Sequence, residues 1–105
     1  MAKEFRQAFG VANNRQRDWH LIEEEFDELA DELAPGADEL KELADLVYVC
    51  FQFAESNSYD LDEALRRVHA SNMSKIGPNG EIERNGHGKV RKGPYYQPPN
   101  LEGCY

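Results

Sequence analysis

From Leu43 to Ala54 the chain is apolar except at Asp45 and Gln52. The run is too long for an average strand and too short to cross a membrane, which predicts a buried helix. Glu42 and Asp45 share a side of that helix with Val49 and Phe53, a poor face to turn toward solvent. Burying an unpaired carboxylate costs several kcal/mol, so these acids require a partner.

A chain of 105 residues is read as one domain with a core of modest size. Small helical domains of this kind often complete their burial by oligomerising. A net charge of −8 argues against unaided binding to nucleic acid or anionic lipid and suits a site that holds cations. Cys50 and Cys104 form no CxxC unit, and Cys50 lies in the apolar run as a small core residue, so a reducing cytoplasmic setting is expected. "MAKEFRQAFG" contains no long apolar segment, and neither a signal peptide nor a membrane span is expected. Most acids precede residue 64, whereas the Gly/Pro-rich tail carries Lys75, Arg84, Lys89, Arg91 and Lys92.

The periodicity predicts an all-α fold. "EFRQAF" is a short first helix with Phe5 and Phe9 on one face, and "GVANNRQ" is a connector. Ile22, Phe26, Leu29 and Leu33 form one stripe of a second helix from about Asp18 to about Leu33. Pro35 and Gly36 break it, and a third helix follows from about Asp38 to about Glu55. Asp60 and Glu63 suggest a capping box for a fourth helix through about Lys75. Beyond it come two turn signals with a small hairpin, then an extended "KGPYYQPPNL". The division expected is a helical core over 1–76 and an extended tail over 77–105 of the same domain.

The hairpin geometry gathers acids. Glu28 is seven residues before Pro35 and Glu42 seven after; Glu25 is ten before and Asp45 ten after. In an antiparallel pair, equal counts from a short turn put residues at one height, so Glu25 should stand level with Asp45 and Glu28 with Glu42. Four converging carboxylates repel unless cations lie between them, and an all-oxygen set suits Mg²⁺ or Mn²⁺. Glu23, Asp27 and Asp31 point elsewhere and are read as solvated. The bland alternative is that "EEEFDELADEL" is simply a solvated helix face.

On the fourth helix Leu61, Leu65 and Val68 define an apolar stripe that Asn72 and Lys75 continue. Inward polar groups ask for a polar ligand, and phosphate oxygens fit; alternatively the helix leaves the core after Val68. His69 lies off the stripe and is read as a packing or surface residue. Trp19 and His20 either stack on a base or cover the core. Phe9 and Asn13 are further candidates for base contacts. Lys89, Arg91 and Lys92 either close over phosphates, in the same or a neighbouring subunit, or act as solubility charges.

"EEFDE" at 24–28 followed by "ELAD" at 42–45 resembles the EExxE…ExxD signature of the all-α nucleoside triphosphate pyrophosphohydrolases, MazG-like enzymes and phosphoribosyl-ATP pyrophosphohydrolases among them. "NMSK" at 72–75 is similar to their Asn-x-x-Lys element, and "GKVRKGPYYQPPNL" to endings of small phage and bacterial members. The resemblance implies a four-helix, bundle-like MazG-type fold and Mg²⁺-dependent hydrolysis of a (d)NTP to the monophosphate and pyrophosphate. Purine deoxynucleotides such as dGTP are one substrate option. Glu25, Glu28, Glu42 and Asp45 would bind the metal. Glu24 would be a weaker candidate ligand or a water-orienting base, and a carboxylate not fully engaged by metal, such as Glu25, would take the remaining proton. Asn72 and Lys75 would contact sugar or phosphates, with Lys89 and Lys92 as further phosphate contacts. A homodimer or homotetramer is implied. Competing expectations are phosphoribosyl-ATP hydrolysis and a non-enzymatic acidic interaction protein.

Overall fold

A computed structural model describes residues 1–105. It contains four helices, α1 (Ala2–Phe9), α2 (Arg15–Asp31), α3 (Ala37–Ser56) and α4 (Leu61–Met73), and no strands. Only a single antiparallel bridge, Arg84 to Val90, marks the hairpin expected in the tail. None of the helices is long and apolar enough to cross a membrane. The chain divides into two compact units, Met1–Asp60 and Leu61–Tyr105, so α4 groups with the tail.

In the first unit α3 packs against α2 and, near its C-terminal half, against α1. The start of α2 lies three residues before the expected Asp18. Asn14 is the cause: its backbone is extended and its side-chain oxygen accepts the Arg17 N–H at 2.9 Å, which closes the first turn. The hairpin connection turns at Gly36, whose φ of +155° and ψ of −173° fall in a region that only glycine adopts without strain.

The ties between the three helices are polar. Arg6 on α1 is buried, and its Nη1 lies 3.6 Å from Oδ2 of Asp18, the most deeply buried side chain of α2. The same guanidinium donates to Gln52 Oε1 of α3 at 3.4 Å, to the Ala12 carbonyl at 3.1 Å and to Asn13 Oδ1 at 2.9 Å. Gln52 in turn donates to the Ala2 carbonyl at 3.3 Å. One arginine thus holds α1, the connector, α2 and α3 together. Aromatic contacts add to this: Phe5 meets Phe9 and the edge of Tyr48, and the Arg15 guanidinium lies over Phe53.

The buried apolar helix expected for α3 is not what one chain provides. Within α3 only Gln52 and Ala54 are buried, while Leu40 is 65% and Val47 47% exposed. Phe26 on α2 is 59% exposed, and Leu33, in the connection after α2, 71%. Two neighbouring helices cover only part of a helix circumference, so the remaining apolar side of α3 faces out. Nor is Cys50 deep in a core: it is half-buried, although burial raises its thiol pKa.

In the second unit the tail lies along α4 as a strap. Arg67 donates to the carbonyls of Asn100 and Glu102, and Ser71 Oγ to that of Gln97 at 2.6 Å. The Gln97 N–H returns a bond to Ser74 Oγ at 2.9 Å. Gly93 passes so close to the end of α4 that a Cβ would sit 2.6 Å from the Lys75 carbonyl oxygen.

The Arg6–Asp18 pair sets a stability prediction. Arg6→Met removes the buried counter-ion of Asp18 and leaves only the exposed Arg17 guanidinium, 3.5 Å from Oδ1, so it should destabilise the fold by about 3 kcal/mol in urea titration. Arg6→Met with Asp18→Leu should recover part of that loss, because no charge is then stranded. Equal stability of Arg6→Met and the native chain would show that the pair is dispensable.

Candidate metal centre

The α2–α3 hairpin brings Glu25, Glu28, Glu42 and Asp45 together. One oxygen from each lies within 4.8 Å of the others. Glu25 and Glu28 are one turn apart on α2, as Glu42 and Asp45 are on α3, so each helix presents two acids on one side. Equal chain counts on either side of the turn at Pro35 set the two pairs at the same level.

Glu25, Glu42 and Asp45 are half-buried and Glu28 is exposed, so the group opens to solvent on one side. On the closed side, Glu25 Oε2 and Glu42 Oε2 are buried without a hydrogen-bond donor. Orphaned carboxylate oxygens facing other carboxylates are what a hard cation would satisfy, and the all-oxygen donor set fits Mg²⁺ or Mn²⁺.

Lys41 is the residue that sequence reading missed. Its Nζ is 2.7 Å from Asp45 Oδ2 and 3.4 Å from Glu42 Oε1. Asp45 therefore has an ionic partner within its own helix. The signal was present as an i, i+4 spacing of opposite charges. Hydrogen bonding to Asp45, then the charges of Asp45 and Glu42, raise the Lys41 pKa and keep the ammonium charged.

Glu24 is exposed on α2 and lies outside the four-carboxylate group. Trp19 is half exposed, and the His20 imidazole pairs with Glu23 at 3.0 Å. Phe9 is exposed and meets the Phe5 ring at a tilt, while Asn13 is engaged with Arg6. In the second unit, Asn72 is exposed just before the end of α4, and Lys75 is half-buried in the turn after it. Lys89 is exposed in the hairpin, and Lys92 Nζ lies 4.9 Å from the centre of the Tyr96 ring.

Crowding of the acids changes their titration. Glu25 is pushed up to about 7 from 4.5, first by burial, then by hydrogen bonding with Glu28, which requires a proton on one carboxyl. The negative charges of Glu28, Asp45 and Glu42 add to the shift. The folded chain thus holds this proton more tightly than the unfolded chain. Its stabilising contribution is complete below pH 4.5 and is lost as pH rises through about 7. Melting temperature of the metal-free protein should accordingly fall across that window, with Lys41 charged throughout. Glu25→Gln should remove this component of the slope, and saturating Mg²⁺ should reverse it, since the cation takes the place of the proton. A native slope that survives in Glu25→Gln would contradict the assignment.

A search of curated proteins returns no match. The family model described as phosphoribosyl-ATP pyrophosphohydrolase matches residues 3–72, which is more than half of the chain and includes all four clustered carboxylates. The chain therefore belongs to the phosphoribosyl-ATP pyrophosphohydrolase family, within the MazG-like superfamily of pyrophosphohydrolases, which are hydrolases acting on acid anhydrides.

Proposed function

We propose that the protein is a Mg²⁺-dependent nucleoside triphosphate pyrophosphohydrolase that cleaves a (d)NTP, with purine deoxynucleotides such as dGTP one option, to the (d)NMP and pyrophosphate. The observation that carries this reading is the convergence of four carboxylates, two with orphaned buried oxygens, on the hairpin of a pyrophosphohydrolase-family chain. Manganese is an alternative metal with the same oxygen preference.

Bound between Glu25, Glu28, Glu42 and Asp45, a divalent cation would supply neutralisation of the phosphate charge and a water of lowered pKa. The chain's own groups do the rest. The α2–α3 hairpin fixes the acids at one level, so the triphosphate is oriented by a rigid pair of helices rather than by loops. Glu24, outside the clustered four, is the proposed acceptor of the water proton, with Glu25 the alternative. Contacts to sugar and phosphates are proposed for Asn72 and Lys75, with Lys89 and Lys92 contacting phosphates, in the same or a neighbouring subunit. An ammonium suits charge that develops on departing pyrophosphate. Trp19 is proposed as a stacking surface for the base, consistent with its exposed indole.

A second copy of the chain is the proposed cover for the apolar side chains left open on α2, α3 and the connection between them, Phe26, Leu33, Leu40 and Val47. The proposed assembly is a homodimer or homotetramer, and the proposed setting is the cytoplasm of a bacterium or phage-infected cell. Light scattering should give a mass that is a multiple of the 12.0 kDa chain; a monomer at micromolar concentration would refute the assembly.

One other substrate stands on a specific observation. The matching family model is that of phosphoribosyl-ATP pyrophosphohydrolase, so phosphoribosyl-ATP is an equally consistent substrate. Pyrophosphate release from a panel of (d)NTPs and phosphoribosyl-ATP separates the two: turnover confined to phosphoribosyl-ATP excludes the (d)NTP reading. Asp45→Asn should abolish Mg²⁺-dependent turnover with the helical circular dichroism signal intact. Full activity of this variant would remove Asp45 from the ligand set.

A further inference from the structure

We propose that Lys41 is a tethered counter-cation that competes with the divalent ion for Asp45 and Glu42 and thereby sets the affinity of the metal centre. The inference rests on the reading of the four carboxylates as a metal site.

Three observations support it. Lys41 Nζ reaches both α3 acids, at 2.7 Å from Asp45 Oδ2 and 3.4 Å from Glu42 Oε1. It does so from the solvent side: the lysine side chain is 66% exposed and Asp45 36%, whereas Glu42 is only 15% exposed. And it leaves the inner oxygens of Glu42 and Glu25 without a donor. The ammonium therefore offsets the outer part of the negative charge but cannot reach the inner part. An incoming cation meets a like charge already seated on two of its ligands, and it binds only as that charge withdraws. Withdrawal is easy, because an exposed lysine has a flexible four-carbon stem and water to receive its head.

The consequence has an unusual sign. Neutralising Lys41 exposes the full repulsion among the four acids, so the metal-free protein loses stability. The same change removes a competitor, so the metal binds more tightly. A lysine with a merely structural role would weaken both when removed.

The test measures Mn²⁺ binding directly by electron paramagnetic resonance, with metal-free and Mn²⁺-loaded melting temperatures alongside. Lys41→Met keeps a good helix former and removes the charge. Its Mn²⁺ affinity should rise by roughly five- to thirty-fold, the effect of one unit charge on a divalent ion at contact distance in a solvated site. Its metal-free melting temperature should fall, and its Mn²⁺-induced rise should exceed that of the native protein. Lys41→Gln should behave alike, and Lys41→Arg should retain the native affinity. Unchanged or weaker Mn²⁺ binding in both neutral variants, with the native protein binding normally, overturns the inference and leaves the metal centre standing. Absence of Mn²⁺ binding by the native protein overturns both. Loss of the helical signal in both neutral variants also overturns it, since a counter-cation that must withdraw cannot be essential to the fold.

Discussion

Electrostatic repulsion inside the α2–α3 hairpin is the constraint to which the rest of the first unit answers. Four carboxylates within 4.8 Å of one another are unfavourable in isolation. Two partial remedies are at hand: burial and the acidic neighbours favour a proton on Glu25, and the Lys41 ammonium sits at the solvent edge. Neither satisfies the buried oxygens of Glu25 and Glu42. A divalent cation is the remedy proposed to serve all four acids at once. An arrangement with unsatisfied charge is a poor way to stabilise a fold and a good way to prepare a binding site.

Holding such a cluster requires a frame that does not spread under the repulsion. Helices are suited to this, because a side chain's direction follows from its place on the turn. The frame is tied by a second charged group, the buried Arg6–Asp18 pair with its bonds to Gln52, Ala12 and Asn13. Its geometry differs from that of the acid cluster in an instructive way. Here unlike charges are buried together, so charge is balanced within the protein although Asp18 Oδ2 accepts no hydrogen bond; there like charges are gathered, so balance needs something from outside.

Few apolar side chains are buried within one chain. Ala54 and Cys104 are the only fully buried apolar residues, whereas large side chains such as Phe26, Leu33 and Leu40 face outward. Short helices bury one stripe against a neighbour and need further surfaces to bury the rest. That geometry is why a homo-oligomer accompanies the proposed function.

The sequence by itself determined the helices and the acid cluster. Apolar periodicity located α2 and α3, the break at Pro35–Gly36 located the turn, and equal counts from that turn paired Glu25 with Asp45 and Glu28 with Glu42. These features are local or follow from one short connection, so chain position is enough to compute them. Lys41 was legible on the same terms, through its spacing to Asp45, but an exposed lysine beside a glutamate gives no sign of which acid it will hold. Only the tertiary structure decided the Arg6–Asp18–Gln52 tie and the strap of the tail on Arg67 and Ser71. Those contacts join residues far apart in sequence, where periodicity carries no information. It also decided that α3 is open on one side, because burial depends on how many neighbours a helix acquires and not on how apolar it is.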